Sequence, residues 1–110
     1  MSEYSDCLNL AVGIGLTVTA AEPPSYGNQW RVDVRVGETT RTERFNPYAN
    51  DAQALQVIEA AVARAVMISV GPGFVHISGL KGSVNSRHDN TSKGIRRAIL
   101  HSLAEIFKNL

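Results

Sequence analysis

Hydrophobic and polar positions change period several times along the chain, and each change marks an element. Between residues 5 and 16, Leu8, Val12 and Leu16 recur at the spacing of one helix face, so a short N-terminal helix is expected there. Gly13 and Gly15 weaken that helix, and Thr17-Val18-Thr19 reads equally well as the start of a strand. Pro23, Pro24 and Gly27 make residues 20–28 a loop. From Trp30 the period becomes two. Trp30, Val32, Val34 and Val36 alternate with Arg31, Asp33 and Arg35, as in a half-buried antiparallel strand. Gly37-Glu38 is expected to turn the chain, and Thr39 to Phe45 to return as the second strand of a hairpin.

Pro47 ends that strand, and Asn50 or Asp51 offers the side-chain cap of a helix. Leu55, Ile58, Val62 and Ala65 then fall on one apolar face. Gly71-Pro72-Gly73 stops the helix, with residues 67–70 open to an extended conformation. Phe74 to Ser78 alternates again, Lys81-Gly82 supplies a turn, and Ser83 to His88 is expected as a fourth strand. Thr91 or Ser92 caps a last helix running to about Asn109, with Ile95, Ile99, Leu103, Ile106 and Leu110 as its core face. The expected architecture is therefore α+β over residues 1–110. It has an antiparallel four-stranded sheet from two hairpins, packed with two main helices and the short N-terminal one. A core this small, beside an alanine-rich helix that admits a close neighbour, favours a homo-oligomer.

Composition changes this picture little. A chain of 110 residues that is 44% hydrophobic and 19% charged has the make-up of a folded domain, which excludes a disordered tail. No apolar run reaches the roughly 18 residues of a membrane span. Glu3 and Asp6 stand where a secretory leader would be basic, and a lone cysteine, Cys7, makes no internal disulfide. A cytoplasmic setting is expected.

Charge changes it more. The net value of +1 hides an asymmetry: residues 1–60 carry four arginines against eight acids, and residues 61–110 carry seven bases against two. The second half is either an anion-binding surface or a surface that meets the acidic half of a second copy.

Candidate chemistry gathers in that half. Asn85, Ser86, Arg87, His88, Asp89, Asn90 and Thr91 lead into a helix start, where backbone amides and the helix dipole attract anions. Arg87 suits a phosphate, and Asp89 and Asn90 suit ribose hydroxyls or a base edge. The plainer reading, and the favoured one, is a solvated turn in which Asp89 or Thr91 caps the helix. Lys93, Arg97, His101 and Lys108, with Arg96 beside them, form a basic stripe that meets phosphates or is the wet face of a helix. Trp30 and Phe74 are rings able to stack on a base, with burial in the core favoured for both, whereas Tyr26 and Tyr48 lie in loops. Arg31, Arg35 and Arg44 are expected to pair across strands with Asp33 and Glu43.

Signals for an enzyme are poor. Cys7 reads as a small buried hydrophobe. His76, His88 and His101 show no metal-ligand spacing, and His88-Asp89 are neighbours on a strand end that point apart. No catalytic residue, metal or cofactor is expected.

Two stretches carry a resemblance. Phe45-Asn46-Pro47-Tyr48-Ala49-Asn50-Asp51 opens Ala54-Leu55-Gln56-Val57-Ile58-Glu59, and Asp89-Asn90-Thr91-Ser92-Lys93 opens Ile95-Arg96-Arg97-Ala98-Ile99-Leu100. With the two strands between them they resemble the phage αβα-sandwich domain family, whose helices start on similar motifs. Gly94-Ile95-Arg96-Arg97 lacks the cysteine common in the second motif. The resemblance implies a phage or prophage origin and no particular activity. The expected architecture is also similar to that of phage anti-defence sponge proteins, small oligomers that sequester cyclic ADP-ribose-type or cyclic-nucleotide immune signals. Their pockets use arginines, an aromatic stack and asparagine or aspartate contacts. That likeness, taken with the basic stripe, implies ligand-binding roles for Phe74, Asn85, Arg87, Asp89, Asn90, Arg96 and Arg97. The leading expectation is a non-enzymatic phage protein that sequesters a small phosphorylated nucleotide. The alternatives are a nucleic-acid-binding module, disfavoured by the near-neutral total charge, and a protein-interaction module acting on a host enzyme.

Overall fold

The computed structural model describes residues 2–108, so the expected helix end at Asn109 and the core position Leu110 lie outside the described residues. The elements follow one another as helix α1 (Glu3–Gly13), strands β1 (Val18–Glu22), β2 (Arg31–Arg35) and β3 (Thr42–Arg44), helix α2 (Asp51–Ala63), strands β4 (Met67–Gly71), β5 (Phe74–Gly79) and β6 (Gly82–Arg87), and helix α3 (Ser92–Lys108). The α+β class stands. The four-stranded sheet does not: the strands form two separate antiparallel sheets, ordered β1-β2-β3 and β4-β5-β6.

Each hairpin takes its third strand from the segment just before it. Residues 18–22, where the sequence offers a strand start at Thr17-Val18-Thr19 and then a loop from Ala20, pair with β2 from Val18↔Val34 to Glu22↔Arg31, with an irregularity between Val18 and Ala20. Residues 67–71 pair with β5 from Met67↔Ser78 to Gly71↔Phe74. Neither segment shows a clean alternation, because each is an edge strand with most of its residues exposed. The return strand of the first hairpin is shorter than expected, confined to Thr42–Arg44, since residues 37–40 make a wider loop than a Gly37-Glu38 turn. The second hairpin turns at Leu80 and Lys81, one residue early, with both at positive φ (48° and 68°) and with Gly79 paired to Gly82.

The helices cover the sheets. Helix α1 packs on β1 and β2, α3 packs on β5 and β6, and the two helices pack on each other with α2 beside α3. Val32 and Val34 of β2 and Val75 and Ile77 of β5 point into this core, where Leu10, Phe45, Leu100 and Leu103 are fully buried.

Two helix faces differ from those read off the sequence. In α1 the buried side is Asp6, Cys7, Leu10 and Ala11, while Val12 is 66% exposed. In α2 it is Gln53, Ala54, Val57 and Ala61, leaving Leu55 and Val62 more than half exposed. Small side chains were chosen over large ones because they let the helices approach closely. Gly13 does the same: a β-carbon there would overlap the ring of Phe107. Gln53 is buried because it is satisfied, accepting from the Asn46 amide at 2.7 Å and donating to the Arg44 carbonyl at 2.7 Å. In α3 the expected positions Ile99, Leu103 and Ile106 are buried and Ile95 packs against them. Among the described residues no helix is long and apolar enough to cross a membrane.

Candidate functional site

Lys93, Arg97 and Lys108 of the α3 stripe are exposed, as a wet helix face requires, but the middle of the stripe is not an open cationic surface. It is turned toward the acidic first half of the same chain. Arg97 pairs with Glu3 at 2.8 Å and lies over the Tyr48 ring, 5.3 Å from its centre. Arg96 pairs with Asp51 and also donates to the Tyr48 carbonyl. His101 reaches Asp6 at 3.0 Å. The charge asymmetry of the sequence is thus partly resolved within one molecule.

These contacts wall one side of a hollow of about 570 Å³. Helix α1 contributes Glu3 and Asp6, the loop before α2 contributes Tyr48, and α3 contributes Gly94, Arg97, Ala98 and His101. The end of β6 and the loop after it supply Ser86, Arg87, His88 and Asp89. Such a volume is in the range of small-molecule sites.

At one wall lies a three-residue polar cluster. Asp6 is only 3% exposed, and its Oδ2 accepts from the Tyr48 hydroxyl at 2.7 Å and from His101 Nδ1 at 3.0 Å. Its Oδ1 is buried without a partner. Burial, reinforced by the hydrogen bond to Asp6, pushes the Tyr48 phenol well above its ordinary value. Nδ1 of His101 donates to Asp6, and no described residue engages Nε2. Cys7, one residue along α1, is fully buried, and burial pushes its thiol up to about 12, as befits an inert core position.

The expected site residues divide. Arg87, Asp89 and Arg97 share the hollow, and Arg87 has no hydrogen-bond or ion-pair partner among the described residues. Asp89 does what the plainer reading expected. Its Oδ1 accepts from the Thr91 amide at 3.1 Å and the Thr91 hydroxyl at 2.6 Å, which holds its carboxyl below the ordinary value. Thr91 in turn caps α3 by accepting from the Gly94 amide at 3.0 Å.

The other four are placed elsewhere. Asn85 points to the far face of its sheet and meets His76 across the strands at 2.5 Å. Asn90, at φ 65°, accepts from the Gly73 amide at 2.8 Å and ties the β4–β5 turn to the loop. Arg96 is spent on Asp51. Phe74 is cross-strand partner to Arg87 but does not line the hollow, and at 47% exposure it is not the core ring expected. Trp30 is half-buried against Tyr4, and Tyr48 is a buried-side ring rather than a loop ornament. Arg31 pairs with Asp33 along its own strand, not across the hairpin.

His88 lines the hollow but is committed to structure. Its Nδ1 accepts from the Asn90 amide at 2.9 Å, so Nε2 carries the proton, directed at the carbonyls of Gly71 (2.8 Å) and Phe74 (3.1 Å). The sequence alone gives Asp6 no role, places His101 only in the basic stripe and Tyr48 only among the loop rings, and does not join the three. The one available signal was an acidic residue on the apolar side of a short helix, a position that requires a buried partner.

Three carboxylates (Glu3, Asp6, Asp89) face two guanidiniums (Arg87, Arg97) around the hollow. The lining thus sums to one net negative charge, so a polyanion is poorly served, and an anion can be held only by direct contact with a guanidinium. No group of His, Cys, Asp or Glu side chains among the described residues is arranged to hold a metal ion. Comparison of the chain with protein-family models, with curated proteins and with solved structures finds no match in any of the three.

Proposed function

We propose that the hollow binds a small phosphorylated nucleotide carrying a single negative charge, such as a phosphodiester. The observation that carries this reading is Arg87, which lines the hollow and whose side chain has no partner among the described residues, on the same hollow as Arg97, whose position is fixed by Glu3 and the Tyr48 ring. A phosphate oxygen pair meets a guanidinium through two parallel hydrogen bonds. Glu3 and the outward edge of Asp89 then accept from ribose hydroxyls or exocyclic amines, the donors that accompany such a phosphate in a nucleotide. Phe74, Asn85, Asn90 and Arg96 play no direct part in this version of the site. A phage-encoded protein that withholds a nucleotide signal from its receptor fits the same binding reading.

The experiment is a thermal-shift screen with 3′,5′-cyclic mononucleotides, cyclic dinucleotides, linear dinucleotides and ADP-ribose isomers. A ligand that binds the folded state alone at a hundred times its Kd stabilises by about 2.7 kcal/mol, a rise of several degrees for a domain of this size. A flat response across the panel contradicts the proposal.

A second reading rests on α2, where exposed Leu55 lines a groove with Ala54, Ile58, Ile95 and Ile99, edged by Asp51, Ser92 and Arg96, and where Val62 is also exposed. Exposed apolar surface of this kind marks an interaction face, in a second copy or another protein. Light scattering at rising concentration distinguishes a monomer from a self-associating chain.

A further inference from the structure

We infer that His101 is a general base, and that the hollow cleaves a ribonucleotide phosphodiester by activating the neighbouring 2′-hydroxyl. The inference rests on the binding reading above and adds a reaction to it.

Four observations support it. His101 is oriented by a buried carboxylate, because Asp6 Oδ2 takes its Nδ1 proton at 3.0 Å and leaves the Nε2 lone pair unengaged at the hollow. That carboxylate is itself fixed by the Tyr48 hydroxyl at 2.7 Å, and its second oxygen has no protein partner, so its charge remains to stabilise an imidazolium. A base and the carboxylate that orients it are two members of the triad that general-base catalysis uses; the nucleophile comes from the substrate. Arg87, unpaired and on the same hollow, meets the charge that grows on the phosphorus oxygens. His88 does not compete for the role, since both of its ring nitrogens are engaged by backbone.

A substrate that brings its own nucleophile suits this set, because one base suffices and intramolecular attack has a high effective concentration. The proton of the 2′-hydroxyl passes to His101 Nε2 as the 2′-oxygen bonds to phosphorus. The bond from phosphorus to the 5′-oxygen breaks, and that oxygen takes a proton from solvent water; His101 gives its proton up to the hydroxide left behind. The products are a 2′,3′-cyclic phosphate and a 5′-alcohol, with no net change in atoms or oxidation state. Asp6 and Tyr48 are positioning residues here.

The test uses the intact protein, the ribodinucleotide ApA and its analogue with a 2′-deoxy first sugar, following products by chromatography and binding by calorimetry. The expected result is that both compounds bind, that only ApA is cleaved, and that the product is the 2′,3′-cyclic phosphate. His101→Ala is expected to lose at least a hundredfold in rate and to recover part of it with added imidazole, while retaining affinity for the deoxy analogue. Asp6→Asn is expected to lower the rate and shift the acidic limb of its pH profile, an effect that a mere tie between α1 and α3 does not produce. Binding of ApA with no cleavage by the wild-type protein overturns this inference and leaves the binding reading intact. Cleavage that persists unchanged in His101→Ala overturns it as well. Failure of both dinucleotides to bind removes the inference together with its premise for this class of ligand.

Discussion

Asp6 and His101 are ninety-five residues apart in the chain and 3.0 Å apart in the folded molecule. Their contact, together with Tyr48, joins the first helix, the loop before the second and the last helix at one point. The joint closes the wall of the hollow, so stability and site are linked there.

Removing the shared acceptor tests that link. Asp6→Ala leaves the Tyr48 hydroxyl and the His101 N–H without their partner in a half-buried setting, and should cost about 1–3 kcal/mol. Tyr48→Phe, which removes one donor and little volume, should cost about 1 kcal/mol. Urea titrations with an unchanged slope measure both; an unmoved midpoint in Asp6→Ala means that the joint holds nothing.

Two glycines at tight contacts should respond differently to the same change. In Gly13→Ala the new methyl meets the base of the Phe107 ring between α1 and α3, where the neighbour is anchored in the core, and the expected loss is about 1–3 kcal/mol. In Gly94→Ala it meets the exposed carboxylate of Asp89, which can swing aside, and the better helix propensity of alanine offsets the loss of that contact. Thermal melts of the pair should separate by several degrees.

Helix α2 offers a test of which face is inside. Val57→Ala removes buried methyl groups and should destabilise by about 1.5–3 kcal/mol, whereas Leu55→Ala and Val62→Ala, at exposed positions, should stay within about 0.5 kcal/mol. The reverse order would restore the face read from the sequence.

Stability should fall on the alkaline side. Burial holds the proton on Cys7 up to about 12 and raises Tyr48 as well, while an unfolded chain releases a thiol proton near pH 9 and a phenol proton near pH 10. Both groups have folded values above their unfolded ones. Their contribution is therefore complete below about pH 9 and is lost as the pH climbs toward the folded values. Denaturation midpoints measured from about pH 8 to pH 11 should decline, and Cys7→Ala should flatten the first part of the fall. Asp89 has the opposite sign: the bonds from Thr91 lower its carboxyl, so its contribution is present at neutral pH and disappears on acidification.

Elements with a strong period were legible in the sequence. The alternation from Val32 to Val34, the alternation from Phe74 to Ser78 and the core face of α3 all appear where the spacing put them. Edge strands β1 and β4 were legible only as alternatives, a strand start at Thr17–Thr19 and an extended stretch over 67–70, because a mostly exposed edge gives little period to read. The faces of α1 and α2 were misjudged because apolar size was taken as the guide, and close helix packing instead selected Cys7, Ala11, Ala54 and Ala61. For the site, a polar loop next to a helix start and a basic stripe on the helix were visible, and the structure brings Arg87 and Asp89 of the first and Arg97 of the second to one hollow. Asp6, Tyr48 and His101 come from three distant segments, and no local spacing announces a cluster that only tertiary packing assembles.

The most direct measurement is calorimetric titration of the ligand that gives the largest thermal shift into wild-type protein, Arg87→Ala and, as a control at the turn between β5 and β6, Lys81→Ala. Wild type and Lys81→Ala should bind alike, and Arg87→Ala should bind at least tenfold more weakly, the loss of one charge-assisted contact. Equal affinity in all three proteins would contradict the assignment of the hollow as the binding site.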